Sequence, residues 1–335
     1  MNNYSKYRIQ LALLVITVLG LSVLPGSVHA LTLTPSRFEV SGNPGDTLTE
    51  QMTVINDGDG QQVYYSSYAN FEAQGDSGSP AFATPKDDLG TWMTTASPSI
   101  NLAPREQKTV SFKINIPKDA EPGGHFAVIF WGTNPEGQGE VSIGAKTGVL
   151  VLLSVNGNVK EAAGLLNFNT EGNKFWYSTL PVTFEYRFRN DGGDRIKPVG
   201  TISMRDTLFL PADIIDANPT QGNVLPASTR KFDVDWVKYT RPVDYVASTS
   251  LWKNFWENVS YQWKNFAVGL YSAHFSVIYG AHNQQVDKTI FFFVFPWQLV
   301  LVMLLVFVIV FWGSKTVIKR YNKFIIGRAR AGMQN

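Results

Sequence analysis

Three histidines beyond residue 30, His125, His274 and His282, are the chain's candidates for proton transfer or metal ligation. None stands at metal-ligand spacing from another histidine, or from a carboxylate on a helix, and lone strand histidines are ordinarily structural. Asn56-Asp57-Gly58-Asp59-Gly60 sets side-chain oxygens at alternate positions, as a calcium loop does, but lacks the distal bidentate glutamate. It predicts a solvated hairpin turn. Asp87-Asp88 has the residue type of a glycosidase pair without a spacing that assigns roles. There is no nucleophile elbow, phosphate loop or dinucleotide fingerprint. The chain has no cysteine, which excludes disulfides, thiol catalysis, iron–sulfur clusters and cysteine zinc sites. The expectation is a binding protein, not an enzyme, with no metal and no cofactor.

The two ends of the chain predict a topology. Lys6 and Arg8 precede an apolar run, Ile9 to Leu24, which Pro25-Gly26 breaks before Val28-His29-Ala30. That is the layout of a signal peptide over 1–30, with a mature start at Leu31. At the other end, Phe291 to Trp312 is 22 residues without a charge. At about 1.5 Å per helical residue it reaches across a hydrocarbon core of about 30 Å. Pro296-Trp297 and Trp312 suit the two interfaces. The tail, 313–335, carries Lys315, Lys319, Arg320, Lys323, Arg328 and Arg330 and no acid, so it is predicted to be a cytoplasmic anchor. The predicted location is the cell membrane: single-pass, residues 31 to about 290 outside, tail inside.

The chain's formal charge is +2, but two basic residues lie in the leader and six in the tail, which leaves the part between them at −6. A net acidic surface argues against nucleic acid as a partner. This part is rich in period-two alternation: TLTEQMTVIN (47–56), TVSFKINI (109–116), VTFEYRFR (182–189) and RKFDVDWV (230–237). Turn residues separate these segments, and the pattern predicts half-buried strands in antiparallel sandwiches.

Three features recur in order. Asn-Asp-Gly ends a strand at Asn56 and at Asn190; Leu-x-Pro or Leu-Pro precedes an alternating strand at Pro104 and at Pro226; glycine opens an aromatic strand at Gly124 and at Gly269. The offsets are 134, 122 and 145 residues. Two copies of one immunoglobulin-like sandwich follow from this repeat, over 31–157 and 158–290. The predicted fold class is all-β: two tandem immunoglobulin-like β-sandwiches followed by one C-terminal transmembrane α-helix over 291–312.

At these residues the chain resembles the WxL-interacting protein family, with its peptidoglycan-binding N-terminal domain. The likeness rests on Pro35, Pro44-Gly45-Asp46, the strand end Thr53–Asn56, Leu102-Ala103-Pro104, Ile116-Pro117 and Gly123-Gly124. It rests also on the layout of leader, tandem domains, single helix and basic tail. It covers roughly 31–155, and the second domain matches only loosely. The resemblance implies a bacterial cell-surface protein that binds peptidoglycan or surface proteins. Tyr64, Tyr65 and Tyr68, with Phe71, lie on one strand as the candidate ligand surface, of which alternation sends a subset to the core.

Residues 251–266 break the strand pattern. At about 100° per residue, Trp252, Phe255, Trp256, Val259, Trp263 and Phe266 share an arc of roughly 100°. The sequence predicts an amphipathic helix near the membrane, either seated in the outer interface or packed on the second sandwich. The reading is therefore a membrane-anchored surface binding or scaffold protein with the lipid bilayer as one partner. The alternative is a membrane-tethered, chaperone-like assembly factor for surface proteins.

Overall fold

The computed structural model describes residues 31–135 and 146–332, the last six of these by backbone alone. The leader predicted over 1–30 lies outside the described residues. The chain divides into two compact units, one of residues 1–72 with 80–160 and one of residues 73–79 with 161–335. It is mainly β, with four sheets and a long C-terminal helix.

An alternating strand is stable only where its apolar side is covered, and in each unit two sheets cover one another. The first unit holds β1 (Leu31–Thr34), β2 (Arg37–Gly42), β3 (Thr47–Asn56), β4 (Gln62–Gln74) and β5 (Ser79–Ala83). It continues with β6 (Met93–Thr95), β7 (Ser99–Leu102), β8 (Gln107–Asn115), β9 (Gly123–Gly132) and β10 (Lys146–Val155). One sheet runs β1-β3-β8-β6, the other β2-β10-β9-β4-β5 with β7 on β4. Met52, Val54, Phe112 and Ile114 of the first sheet meet Tyr64, Ile129, Trp131 and Val151 of the second in one core. Strand β9 is buried on both faces, because Val128 and Phe130 pack outward with Ala69.

The second unit holds β11 (Ala163–Thr170), β12 (Trp176–Tyr177), β13 (Val182–Asn190), β14 (Val199–Arg205) and β15 (Pro211–Asp216). After these come β16 (Ser228–Trp236), α1 (Leu251–Lys264), β17 (Gly269–Tyr279), β18 (Gln284–Val294) and α2 (Trp297–Gly332). Its sheets run β11-β13-β16 and β12-β18-β17-β14-β15. Their shared core is aromatic: Tyr186 stacks on Phe232 at 4.6 Å, and buried Trp236 meets Tyr271 edge-on at 5.1 Å. Burial pushes the Tyr186 phenol far above its ordinary pKa, so it stays a neutral donor to the Ala217 carbonyl at 2.9 Å.

The recurrent sequence features have one physical basis. Asn56 and Asn190 are both buried. Asn56 donates to the carbonyls of Gly60, Leu102 and Ala103, and accepts from Gly58 N–H and Tyr64 O–H. Asn190 donates to Asp194 and Val224 and accepts from Gly192 N–H. Each ties a strand-ending turn to the chain just ahead of the proline. Past those prolines, Arg105 (φ 61°) and Ala227 (φ 53°) take the left-handed conformation. With Glu106 N–H donating to Ala103 O, the first is a proline-led turn of type II character.

The C-terminal apolar helix starts later than its sequence boundary. Residues 291–294 are the end of β18, paired with Gly269–Ser272 of β17, and the helix begins at Trp297. Phe292 and Val294 face the core while Phe291 is exposed, so this apolar run is a strand edge facing two ways. The residue before a proline disfavours helix, which fixes the start beyond Phe295-Pro296. Helix α2 is apolar enough to cross a membrane over Trp297–Ile326, with mean hydropathy 2.3 and none of its most apolar window buried. It continues unbroken into the basic segment.

Candidate membrane-contact surface and adjoining groove

Helix α1 turns its polar face to protein and its aromatic face outward. On the polar side, the Arg241 guanidinium lies between the Tyr245 and Tyr261 rings, at 4.3 and 4.1 Å, and donates to Asn258 Oδ1 at 3.0 Å. Tyr245 O–H donates to Glu257 at 3.0 Å. Buried Asn265 accepts from the N–H groups of Lys238 and Tyr239 and donates to Tyr239 O. Buried Gln262 donates to Gln298 Oε1 at 2.7 Å and accepts from Leu299 N–H at 2.9 Å. The last contact satisfies one of the amides that a helix N-terminus leaves unpaired, and so locks α1 onto the first turn of α2.

The sequence-predicted apolar arc divides. Val259 is buried, and Phe255 packs against Trp297 with ring centroids 6.4 Å apart. Trp252, Trp256, Trp263 and Phe266 are 71%, 44%, 65% and 42% exposed. Trp256, Val259 and Trp263 line one wall of a groove of about 730 Å³ whose other wall is α2, from Leu299 to Val310. The exposed aromatic face is therefore continuous with the exposed apolar face of α2. Packing of the whole arc on the second sandwich is not what the structure shows.

A second groove of about 910 Å³ lies on the other side of the α1–α2 contact, lined by Lys174, Trp176, Thr179, Arg241, Tyr261 and Trp297 among others. Sequence reasoning missed it. Its walls come from four separate stretches, brought together because β12 pairs in parallel with the end of β18 (Trp176↔Phe293, Tyr177↔Val294). No local pattern encodes that pairing.

The basic tail continues α2. Lys315, Lys319, Arg320 and Lys323 are exposed along it, and Lys315 Nζ sits 4.4 Å from the Phe311 ring centroid. The side chains of Arg328 and Arg330 lie outside the described residues.

The tyrosine strand is largely internal, which corrects the expected ligand surface. Tyr64 is 1% exposed and spends its hydroxyl on Asn56; burial, then the charge of Asp57, raises its pKa. Tyr68 is half-buried and packs against the core, and its hydroxyl accepts from Thr95 N–H at 2.8 Å. Phe71 is buried against Phe82 and Phe126. Tyr65 alone among the three tyrosines has no core role, and it too is half-buried. The strand folds this way because β4 has core on one face and the Ala69–Phe130 cluster on the other.

The histidines do not gather. His125 pairs through Nδ1 with Asp88, has Nε2 at 2.8 Å from Glu121 O, and lies against Trp92. Neither ring nitrogen is open to a substrate. His274 meets Thr289 and Asp287, and His282 meets Glu161. No group of three or more metal-ligating side chains occurs among the described residues. Asp59 of the predicted hairpin turn pairs with Arg105 at 2.8 Å.

No protein-family model matches the chain, and no curated protein matches it. Among solved structures, a chain of the chaperone–tip adhesin complex of CFA/I fimbriae biogenesis is similar at 11% identity and TM-score 0.36, over 78% of this chain and 98% of that one. The class 5 fimbriae chaperone CfaA is similar at 10% identity and TM-score 0.37, over the same shares. A chain of the CsuC–CsuE pre-assembly complex of Acinetobacter baumannii is similar at 9% and 0.33, over 78% and 97%. These likenesses are too distant to decide a function.

Proposed function

We propose that this chain is a single-pass surface protein whose second unit is seated on the outer membrane leaflet and whose tandem immunoglobulin-like sandwiches bind protein partners. The observation that carries the seat is the orientation of α1: polar face on protein, three tryptophans outward, beside a helix able to span the bilayer. In water such an arrangement is inverted. At the headgroup level it is the ordinary one, because indole rings settle there. The basic continuation of α2 supports an orientation with Lys315 to Lys323 cytoplasmic.

Protein partners are favoured over glycan by what the strands offer. A sugar platform needs exposed aromatic faces, and Tyr64, Tyr68 and Phe71 are spent internally. Among the described residues β16 pairs with β13 along all nine of its residues and with no second strand, and its outer edge is covered only in part, where Lys231 N–H donates to Asp76 O of the β4–β5 turn. Such an edge is a template for strand addition by an extended segment. That supports a membrane-tethered scaffold or assembly factor. The glycan-binding role implied by the WxL-interacting resemblance is the second reading. The test presents the 31–290 fragment with two baits, purified cell wall and detergent-extracted surface proteins. Retention of specific proteins and not of wall is expected; retention on wall alone would refute the protein-partner reading.

A further inference from the structure

A third apolar element projects from the end of the second unit where α2 departs. Strand β18 leaves the sheet at Val294, level with Gly269 of β17, and three residues later α2 begins. Strand β14 leaves the same sheet in the same direction: Arg205 is level with Ser272. Beyond it, Thr207 Oγ1 donates to Leu270 O at 3.1 Å and accepts from Leu270 N–H at 3.0 Å. The β14–β15 turn therefore extends past the end of β17 on the side from which α2 emerges. It is two strands from β18, about 10 Å at the ordinary strand spacing.

The turn displays Leu208, Phe209 and Leu210, which are 75%, 68% and 55% exposed. It is held rigidly. One oxygen of the Asp206 carboxylate accepts from Leu208 N–H at 2.9 Å and from Leu210 N–H at 3.0 Å. Asp206 and Phe209 close a backbone pair as well: Phe209 N–H donates to Asp206 O, and Asp206 N–H donates to Leu210 O. Phe209 takes φ 61°, a left-handed conformation that glycine or asparagine would adopt with less strain. A phenylalanine held there at a cost, at the tip of a turn with a polar base, is placed for what its ring touches.

We propose that Leu208–Phe209–Leu210 inserts into the outer leaflet as a second lipid contact beside α1. With α2 the contacts are then three, and three fix the tilt and rotation of the unit on the membrane where one helix leaves both free. The occupant is lipid because the tip leaves the sheet at the membrane-entry end, where Phe295 and Trp297 are also exposed. This inference rests on the membrane seat proposed above.

The chain has no cysteine, so single cysteines can be labelled without background. Full-length protein carrying Phe209→Cys, Leu208→Cys, Trp252→Cys or Gln284→Cys is labelled with an environment-sensitive fluorophore and reconstituted into vesicles of zwitterionic and anionic phospholipid. Lipids bearing a quencher at the headgroup or at a shallow acyl position are then included. Gln284 is the control, exposed at the opposite end of β18. Blue-shifted, quenched emission at 208, 209 and 252, with none at 284, is expected. Quenching at 252 without quenching at 208 and 209 overturns the insertion and leaves the seat standing. No quenching at any of the four overturns both. Quenching at 284 as well shows the unit lying on its side and overturns the three-point contact.

Discussion

Replacing Trp252, Trp256 and Trp263 together by serine removes most of the aromatic area that α1 offers outward. Their exposures amount to about 1.8 whole tryptophans, or about 360 Å² at roughly 200 Å² each. At about 25 cal/mol per Å² full burial would be worth about 9 kcal/mol. The interface is only half apolar, so about 4–5 kcal/mol is the realistic share, which shifts an opening equilibrium about a thousandfold. On the proposed topology α2 would hold the chain in the membrane in either case, so membrane binding is the wrong readout. Amide hydrogen exchange of the 251–264 segment is the right one, because α1 exchanges through local detachment from its seat. In bilayer nanodiscs the triple variant is expected to exchange faster in this segment by up to about three orders of magnitude, with β13 and β17 unchanged. In the native protein, the same segment should lose much of its protection when the lipid is exchanged for a small polar detergent. Equal exchange for variant and native protein in nanodiscs would refute the seat and leave the polar contacts of Arg241, Glu257 and Gln262, with the packing of Val259 and Phe255, to hold α1.

Three further outcomes follow from single sites. Asn190→Ala breaks the three hydrogen bonds of a buried side chain and should lower the stability of the second unit by about 2–4 kcal/mol, read as a lower urea midpoint for that unit alone; Asn56→Ala should do the same to the first. At Gly200 a Cβ would stand 2.1 Å from Ser276 O and 2.6 Å from Val277 Cα, both backbone. Gly200→Ala must therefore push β14 from β17, at a cost of about 2–3 kcal/mol in the same measurement. The Glu161 carboxylate is held below its ordinary pKa, first by the His282 hydrogen bond and then by Ala281 N–H. A lowered folded value means that its stabilisation is present above the ordinary carboxylate range and is lost as pH falls through the lowered value. Exchange of the 280–283 amides should rise on acidification below about pH 4, and Glu161→Gln should abolish that rise.

Strand patterning was legible wherever one face is covered and the other wet: β3, β8, β13 and β16 lie where alternation put them. It failed where both faces are covered. In β4 alternation sends a subset of the tyrosines inward, and Tyr64 and Tyr68 do face the core, but the outer face carries its own cluster of Ala69, Val128 and Phe130. It failed again at 291–294, where strand and membrane helix are equally apolar and only Pro296 marks the change. The amphipathic helix was legible from its 3.6-residue period, but a period gives an arc, not the side from which protein approaches. The grouping of Trp176, Arg241 and Trp297 around one groove depends on the parallel β12–β18 pair, a contact more than a hundred residues long in sequence, which no window shows.

The same reasoning explains why the features that recur in the two units are turns while their core positions differ. A core residue can be exchanged for another of similar volume, and the cores show this: Trp131 donates to Met52 sulfur at 3.3 Å, whereas Trp236 donates to the Asp213 carboxylate at 2.9 Å. The asparagine knot has no such freedom. It must present two amide hydrogens to carbonyls from two different segments and one oxygen to the N–H two residues on. Aspartate lacks the donors, and glutamine's extra methylene moves the amide away from those partners. The proline that follows sets φ for a turn whose next residue must be left-handed, and the order asparagine, proline, aromatic strand follows from that geometry. Positions fixed by such stoichiometric demands remain readable, while those fixed only by volume and polarity, such as the exposed Leu208–Leu210 turn, do not.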